Sequence, residues 1–384
     1  MIDFFEFQSR TRVLYKPGLV NELGHEAGRL GTRVLIVADE GVARAGLLDR
    51  VRAGLGDVAV VGVFAEVPPN SSIAVVERGA AYAREVGADL LVAVGGGSPI
   101  DTAKAIRILL TEGGALHDYE GYNLLERPLV PMIAIPTTAG TGSEVTAWAV
   151  IRDEVAHVKL AFCSVFLAPE LAILDPEMTR MLPPRLTAAT GLDALTHAIE
   201  SFVGTNANPI SDSLALQAID MIANALRAAT HSGDDLEARS QMLIASCIAG
   251  IAFSSGGGSL GIVHALAHSV GGAFEVHHGT ANAILLPHGM RFNSVAVPNR
   301  FSRIARALGV NAGGRAEEDV IADGVEAVRS LAVDCQLPMR LRDVGVPEDA
   351  LPTIAETALG DAASFTNPRP ITYDDALDVL RAAW

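Results

Sequence analysis

Cysteine and basic residues are scarce in this sequence of 384 residues. The three cysteines, Cys163, Cys247 and Cys335, are odd in number and far apart, which is typical of reduced thiols in a cytoplasmic protein rather than of a disulfide framework. Lysine and arginine total 29 against 45 aspartate and glutamate residues, giving a net charge of −16. No Lys/Arg stripe is present to release counterions from a polyanion, so no nucleic-acid partner is expected.

Long apolar runs and targeting segments are also missing. The continuous apolar run at 242–253 has twelve residues, whereas a membrane-spanning helix needs about 20. We therefore predict a buried core helix there and no membrane partner. The N-terminal stretch MIDFFEFQSRTR has no basic region followed by an apolar core, so no signal peptide is expected and the predicted location is cytoplasmic.

Length and pattern predict two domains. In residues 1–182, apolar strand-like runs alternate with helical runs, which predicts a mainly parallel sheet covered on both faces, a variant of the Rossmann dinucleotide-binding fold. Ligands of such folds bind beyond the carboxyl ends of the strands. In residues 183–384 the pattern is helical, which predicts a second, all-helical domain with its own site.

The glycine-rich segment GGGSPID is the sharpest feature of the first half. Gly95, Gly96 and Gly97 allow the backbone to approach an anion closely, and Pro99 fits a first helical position, where no N–H is needed. The helix that follows would point its N-terminus at a phosphate. The alternative is a turn that merely needs glycine. Asp39, at the end of a strong strand, is placed to accept from a ribose hydroxyl and would repel a 2′-phosphate, which favours NAD over NADP.

A second loop, IPTTAGTGSEVT, follows the fourth predicted strand. Its hydroxyl side chains suit contacts with ribose, phosphate or carboxamide, and equally the capping of turns. The residues are Thr137, Thr138, Thr141 and Ser143. Both interpretations stay open from the sequence alone.

Histidines concentrate in the helical half. Asp193 and His197 are four residues apart in a run with helical period, so they share one face of a helix and begin a metal site. A surface pair is the alternative interpretation. The segment 263–279 holds four histidines in seventeen residues, which favours the metal site.

In this order, GGGSPIDTAKAI, IPTTAGTGSEVT, GLDALTHAIESF, VHALAHSVGGAFEVHHG and ANAILLPHGMRFN resemble the iron-containing (group III) alcohol dehydrogenase family, most closely its lactaldehyde reductase type. The resemblance covers essentially the whole chain. It implies a dehydroquinate synthase-like architecture, with an α/β NAD-binding domain and an all-α metal-binding domain. It also implies hydride transfer between NAD(H) and a small alcohol, aldehyde or ketone, and a homodimer or higher homo-oligomer. Fe²⁺ is the implied metal, and Zn²⁺ is the alternative because the Irving–Williams order favours it at equal availability.

The resemblance assigns roles by position. It implies that one divalent metal is held by Asp193, His197, His264 and His278. His278 is chosen over His277 because it keeps the family's fourteen-residue separation from His264. His268 becomes a pocket residue on the proton route. The implied NAD contacts are Asp39, Asn70, Gly95, Gly96, Gly97, Ser98, Pro99, Thr137, Thr138, Val150 and Lys159.

Two other functions compete with this one. A maleylacetate reductase or a dehydroquinate synthase-type lyase would use the same architecture, although a lyase for a phosphorylated substrate should place several Lys/Arg residues in these motifs, which hold almost none. A metal hydrolase or a non-catalytic metal-binding protein would bind no dinucleotide. The stretch SSGGGSLGIV before His264 is longer than the family's usual one, and we expect its extra glycines, 256–258, to widen the pocket and leave the substrate open.

Overall fold

The computed structural model describes residues 4–156, 158–254 and 259–384, so the glycines at 256–258 lie outside the described residues. The strands are β1 (Arg12–Tyr15), β2 (Arg33–Asp39), β3 (Ala59–Val67), β4 (Leu90–Gly95), β5 (Gly121–Tyr122), β6 (Met132–Pro136), β7 (Trp148–Asp153), β8 (Val158–Cys163) and β9 (Leu171–Leu174). The helices are α1 (Leu23–Ala27), α2 (Glu40–Arg44), α3 (Leu47–Leu55), α4 (Ile73–Glu85), α5 (Gly97–Thr111), α6 (Pro184–Val203), α7 (Pro209–His231), α8 (Leu236–Ser254), α9 (Ile262–Phe274), α10 (His278–Ser294), α11 (Pro298–Ala307), α12 (Glu317–Asp334), α13 (Leu351–Leu359) and α14 (Tyr373–Ala383).

The chain divides into two compact units. One comprises Ser9–Thr138 and Gly142–Leu182, and holds all the strands. The other comprises Pro183–Trp384 together with Ala139–Thr141 and the described part of Met1–Gln8. The sequence had placed these two short segments in the first domain. Ala139–Thr141 belongs with the helices because Gly140 lies so close to α6 that a Cβ atom there would be 2.6 Å from the Cβ atom of Thr190.

The α/β unit is built on a six-stranded sheet in the order β1-β9-β6-β4-β2-β3, with every pairing parallel. The predicted parallel sheet is therefore confirmed. The inner strands are almost entirely apolar and buried, as parallel strands covered by helices on both faces must be. The chain leaves β2 for β3 on one side and returns to β4 on the other, so the order reverses between β2 and β4. Ligands of such sheets bind in the crevice at this reversal.

The Gly-rich turn ends β4 and begins α5. Gly96 is the N-cap, so α5 begins at Gly97 and Pro99 is its third residue, not its first as the sequence analysis proposed. Proline fits the third position as well as the first. None of the first four N–H groups of a helix has an intrahelical partner, so the N–H that proline lacks is not missed there.

The helical unit is organised around α6, which packs against α7, α8 and α10. Every residue of α6 from Thr187 to Val203 is buried. The apolar run at 242–253 lies in α8, as the predicted core helix. By length and composition α8 is also apolar enough to cross a membrane, but 67% of its most apolar window is buried inside the protein, as in a core helix.

Candidate active site

The ends of three neighbouring strands bring the predicted dinucleotide residues together. Asp39 ends β2, Gly95 ends β4, and Thr137 follows β6 and donates its N–H to the Gly95 carbonyl oxygen at 2.9 Å. Gly95 has φ +151°, and a Cβ atom there would lie 2.5 Å from Cγ of Pro99 and 3.2 Å from Oδ2 of Asp39. Only glycine fits this position. The resulting turn lies at the reversal point of the sheet.

The start of α5 is open to an anion. Among the described residues no side chain caps its N-terminus, so the N–H groups of its first turn are available to a phosphate. Asn70, at φ +53°, donates its N–H to Oγ of Ser98 at 3.2 Å, which brings the loop after β3 to this turn. A Cβ atom at Gly96 would lie 3.2 Å from Oγ1 of Thr138, so the second loop also lies against the turn.

Asp39 has a structural task beside the ribose contact that the sequence predicts for it. Its Oδ1 accepts from the Val42 N–H at 2.8 Å and caps α2. Its Oδ2 faces the Gly95 position, as the Cβ distance above shows. One oxygen is therefore used by the fold, and the other lies beside the turn where a ribose would be recognised.

Val150 and Lys159 lie on the β7–β8 hairpin, where the structure ties Val150 to α5. The Val150 N–H donates to Oδ2 of Asp101 at 3.0 Å, and the Ser143 hydroxyl donates to Oδ1 of the same carboxylate. Burial raises the pKa of Asp101, and the nearby charges of Lys104 and Lys159 oppose that rise. The Ser143 hydroxyl thus has a structural role in the loop, which is one of the two interpretations left open by the sequence.

Lys104 was not singled out in the sequence, yet it is fully buried. Its Nζ donates to the carbonyl oxygens of Thr146 and Trp148 at 3.0 and 2.6 Å. Burial lowers the pKa of Lys104 to about 8. The available signal was the spacing of Asp101 and Lys104, three residues apart on the helix that follows the Gly-rich turn.

Three of the four predicted metal ligands converge in the helical unit. Asp193 on α6, His264 on α9 and His278 on α10 each offer a ligand atom, and these atoms lie within 4.8 Å of one another. Nε2 of His278 is 3.4 Å and Nε2 of His264 is 4.0 Å from Oδ1 of Asp193. Asp193 and His264 are buried and His278 is half-buried. His277, the alternative to His278, is the exposed N-cap of α10 and lies outside this group.

His197 adjoins the convergent group without being part of it. Its ring is stacked between those of Phe253 and His264, with both centroid distances at 4.6 Å. Burial lowers the pKa of His197 to about 4, so the ring is neutral, as a metal ligand must be. Its Nδ1 is buried and has no hydrogen-bond partner among the described residues. His197 therefore stays a predicted ligand that lies next to the convergent group.

Asn282, which the sequence analysis missed, lies at the centre of the cluster. Its Nδ2 is 2.6 Å from Oδ1 of Asp193, 3.3 Å from Nε2 of His264 and 3.2 Å from Nε2 of His278. A side-chain amide has two N–H groups, so it cannot serve three acceptors. Its Oδ1 is buried without a partner in the described part of the chain. This excess of convergent electron pairs fits a divalent cation, and carboxylate with imidazole is a donor set for Fe²⁺ or Zn²⁺.

A close helix contact brings His278 to Asp193. The residue after His278 is Gly279, and a Cβ atom there would lie 2.3 Å from the backbone oxygen of Ala189 on α6. Only glycine lets the N-terminus of α10 lie this close to α6. The sequence pair His278-Gly279 is therefore one structural feature.

His268 lies beside the cluster, outside the convergent group, as expected of a pocket residue. Its ring is stacked on that of His278 at 5.2 Å, and its Nδ1 is 2.8 Å from Oδ2 of Asp361. Burial raises the pKa of Asp361, but the charge and hydrogen bond of His268, together with the Ala363 N–H and the charge of His264, hold this pKa below its ordinary value. His268 is 29% exposed, so it has access to solvent. The Asp361 partner had no signal in the sequence.

A parallel sheet with a Gly-rich turn at its reversal point and an Asp/His cluster on buried helices are the features expected of an enzyme that uses a dinucleotide and a metal. Two family models match, "Iron-containing alcohol dehydrogenase" over residues 10–176 and "Fe-containing alcohol dehydrogenase family, C-terminal" over 187–384. The chain belongs to the iron-containing alcohol dehydrogenase family.

Individual relatives agree with this assignment. The chain is 39% identical to lactaldehyde reductase of Escherichia coli, with 96% of each chain covered. It is 37% identical to the NAD-dependent methanol dehydrogenase of Bacillus methanolicus, with 95% of this chain and 96% of the relative covered. The crystal structure of a 1,3-propanediol oxidoreductase matches with a TM-score of 0.96 at 38% identity, covering 99% of this chain and 100% of that chain. The predicted family and fold class are confirmed.

Proposed function

We propose that this protein transfers a hydride between NAD(H) and a small alcohol or aldehyde, with Fe²⁺ as the metal and Zn²⁺ as the alternative. The observation that carries the proposal is the convergence of Asp193, His264 and His278. Their three acceptor atoms surround the Asn282 amide, which has only two N–H groups to donate. The relatives support the substrate class, because they are named for methanol, lactaldehyde and 1,3-propanediol.

The residues of the chain have distinct tasks in this reaction. When bound, the metal supplies a Lewis acid for the substrate oxygen, and NAD(H) supplies or accepts the hydride. Asp193 contributes the negative charge that holds the cation, and the rings of His264 and His278 contribute neutral donors. Phe253, stacked on His197, keeps water from that side. Half-exposed His268, oriented by Asp361, moves the proton between the substrate oxygen and solvent.

The proposal is tested by reconstituting the metal-free protein anaerobically with Fe²⁺, Zn²⁺, Mn²⁺ or no metal. Each preparation is assayed with NADH and NADPH against short aldehydes, and with NAD against the matching alcohols. We expect activity with NADH in the metal-loaded samples and none in the metal-free one. Full activity after chelation, or no change in NADH fluorescence on mixing with the protein, would contradict the proposal.

His268→Ala is expected to lower kcat by about 10²-fold, which is the usual contribution of a positioned proton-transfer group. Bound metal, measured by elemental analysis, should stay unchanged because His268 is outside the convergent group. The matched control is His277→Ala, at an exposed histidine beside the cluster, which should retain activity. Loss of metal in His268→Ala would show that His268 is a ligand and refute the proton role.

Asp39→Asn is expected to weaken the preference for NADH over NADPH. Asparagine keeps an oxygen for the Val42 N–H and therefore preserves the cap of α2, while it removes the charge that repels a 2′-phosphate. We expect the ratio of kcat/KM values for the two cofactors to fall by about tenfold, since about 1.4 kcal/mol of differential binding is a factor of ten. An unchanged ratio with intact thermal stability would remove Asp39 from cofactor selection.

We also propose a cytoplasmic location and a homodimeric or larger assembly. The location is supported by three buried free cysteines, Cys163, Cys247 and Cys335, which suit a reducing compartment. The assembly is supported by β1, which forms one end of the six-stranded sheet and so presents an open edge among the described strands. Fractionation of cells and light scattering of the purified protein measure these two properties.

A further inference from the structure

Glu200 is a buried carboxylate that the proposed reaction does not use. It lies on α6, three residues after His197 and seven after Asp193, and is 2% exposed. Its Oε2 accepts from the Gly261 N–H at 2.8 Å and faces Nδ1 of His264 at 2.6 Å. Its Oε1 accepts from the Val263 N–H at 2.8 Å. These partners compensate the cost of burying a carboxylate, so Glu200 has a defined structural role at this position.

Two of these bonds cap α9 from another helix. Gly261 is the N-cap of α9 and has no side chain of its own to satisfy the first N–H groups. A Cβ atom at Gly261 would lie 2.9 Å from Oε1 of Glu200, so the N-cap must be glycine for the carboxylate to reach this turn. Glu200 therefore fixes where α9, and with it His264, lies against α6.

The third bond fixes the state of the His264 ring. A carboxylate that already accepts from two backbone N–H groups is an acceptor for Nδ1 as well, and a neutral ring that donates from Nδ1 has its lone pair on Nε2. Nε2 is the atom that faces the cluster, 3.3 Å from Nδ2 of Asn282 and 4.0 Å from Oδ1 of Asp193. A carboxylate behind a metal-binding histidine fixes its tautomer and raises its basicity.

We infer that Glu200 is a positioning residue for the metal centre: its carboxylate holds the His264 ring in the Nδ1–H tautomer and in the plane that directs Nε2 at the cation. The inference rests on the metal site of the proposed function. It requires that Glu200 contribute to metal affinity beyond its capping of α9.

The chain offers a control that separates the two roles. Oδ1 of Asn367 accepts from the Ile262 N–H at 3.1 Å, so it caps the same turn of α9 without any bond to His264. Asn367→Ala removes this cap together with the bonds of Asn367 to Asn293 and to the Arg369 carbonyl oxygen, and it leaves the Glu200–His264 pair in place. Glu200→Gln keeps the size of the side chain but supplies only one acceptor oxygen for three donors. A purely structural role predicts equal effects of the two variants on metal binding.

The first measurement needs no metal. Long-range ¹H–¹⁵N spectra of ¹⁵N-histidine-labelled, metal-free protein at alkaline pH report the tautomer of each neutral ring, and the His264 signals are assigned by their loss in His264→Asn. We expect the Nδ1–H form in the wild type and in Asn367→Ala. We expect the Nε2–H form, or a mixture, in Glu200→Gln. A wild-type Nε2–H tautomer, or no change in Glu200→Gln, would overturn the inference.

The second measurement is the dissociation constant for Zn²⁺, from competition with a chromophoric chelator. We expect it to rise about 10–100-fold in Glu200→Gln, as for other carboxylates behind metal-binding histidines, and to stay unchanged in Asn367→Ala. Equal binding by the wild type and Glu200→Gln would overturn the inference and leave the proposed function intact. If the wild type bound neither Zn²⁺ nor Fe²⁺, the proposed function would fail instead, and the role of Glu200 toward the metal with it.

Discussion

Replacing Asp193 by alanine is expected to abolish metal-dependent turnover, lowering kcat/KM by at least about 10³-fold. Asp193 is the only carboxylate in the convergent group of the described structure, and both histidine nitrogens face its Oδ1. Without it, a divalent cation would be held by neutral rings alone in a buried site. A Lewis acid contributes several kcal/mol to such reactions, and about 4 kcal/mol corresponds to a factor of about 10³.

The measurement compares turnover and bound metal in three preparations. Chelated wild-type protein should lose activity and regain it with Fe²⁺ or Zn²⁺, whereas Asp193→Ala should stay inactive at the same metal concentration. The control is Asp220→Ala, at an exposed aspartate on α7. Asp193→Ala with wild-type metal content and activity would show that the cluster is not the catalytic centre.

The parts of the site that the sequence predicted are those that local geometry determines. Asp39 and Gly95 end their strands and Thr137 follows its own, and in a parallel sheet the carboxyl ends of neighbouring strands lie together. Asp193 and His197 are four residues apart on a long helix, and this spacing places them on one face of it. The segment 263–279 is recognisable because histidine is concentrated there, and the family resemblance then selects His264 and His278 within it.

The residues that the sequence did not reveal take their roles from tertiary packing. Asp361 meets His268 from 93 residues away, and Glu200 meets His264 from 64 residues away. No period or spacing encodes such pairs. Lys104 is buried by the chain that follows β6, where Thr146 and Trp148 accept from its Nζ, and the spacing to Asp101 does not reveal that burial.

The pattern of apolar residues also failed to identify several strands. The β7–β8 hairpin and the short strand β9 were not predicted as elements, although Val150 and Lys159 were assigned by resemblance. Along β7, buried and more exposed positions alternate, as expected of an antiparallel strand with one solvated face. Such a strand lacks the continuous apolar run that identified β2 and β4.

Gly279→Ala is expected to have the second largest effect, although it adds a single methyl group. The new Cβ atom would lie 2.3 Å from the backbone oxygen of Ala189, and a backbone atom cannot turn aside as a side chain can. The N-terminus of α10 must therefore move away from α6 and carry His278 away from Asp193. Overpacking of this kind costs about 1–3 kcal/mol, so we expect a lower thermal midpoint and a Zn²⁺ affinity reduced by at least about tenfold.

The matched control for this change is Gly272→Ala on α9. A Cβ atom at Gly272 would meet nothing within 4 Å, so alanine should stabilise the helix by about 0.5–1 kcal/mol. The same substitution is thus expected to lower the stability of the protein at Gly279 and to raise it at Gly272. If Gly279→Ala lost stability but bound Zn²⁺ normally, the contact between α10 and α6 would serve the fold alone. If it lost Zn²⁺ affinity beyond its loss of stability, the close approach of the two helices sets the geometry of the metal site, because His278 begins the helix that the added methyl group displaces.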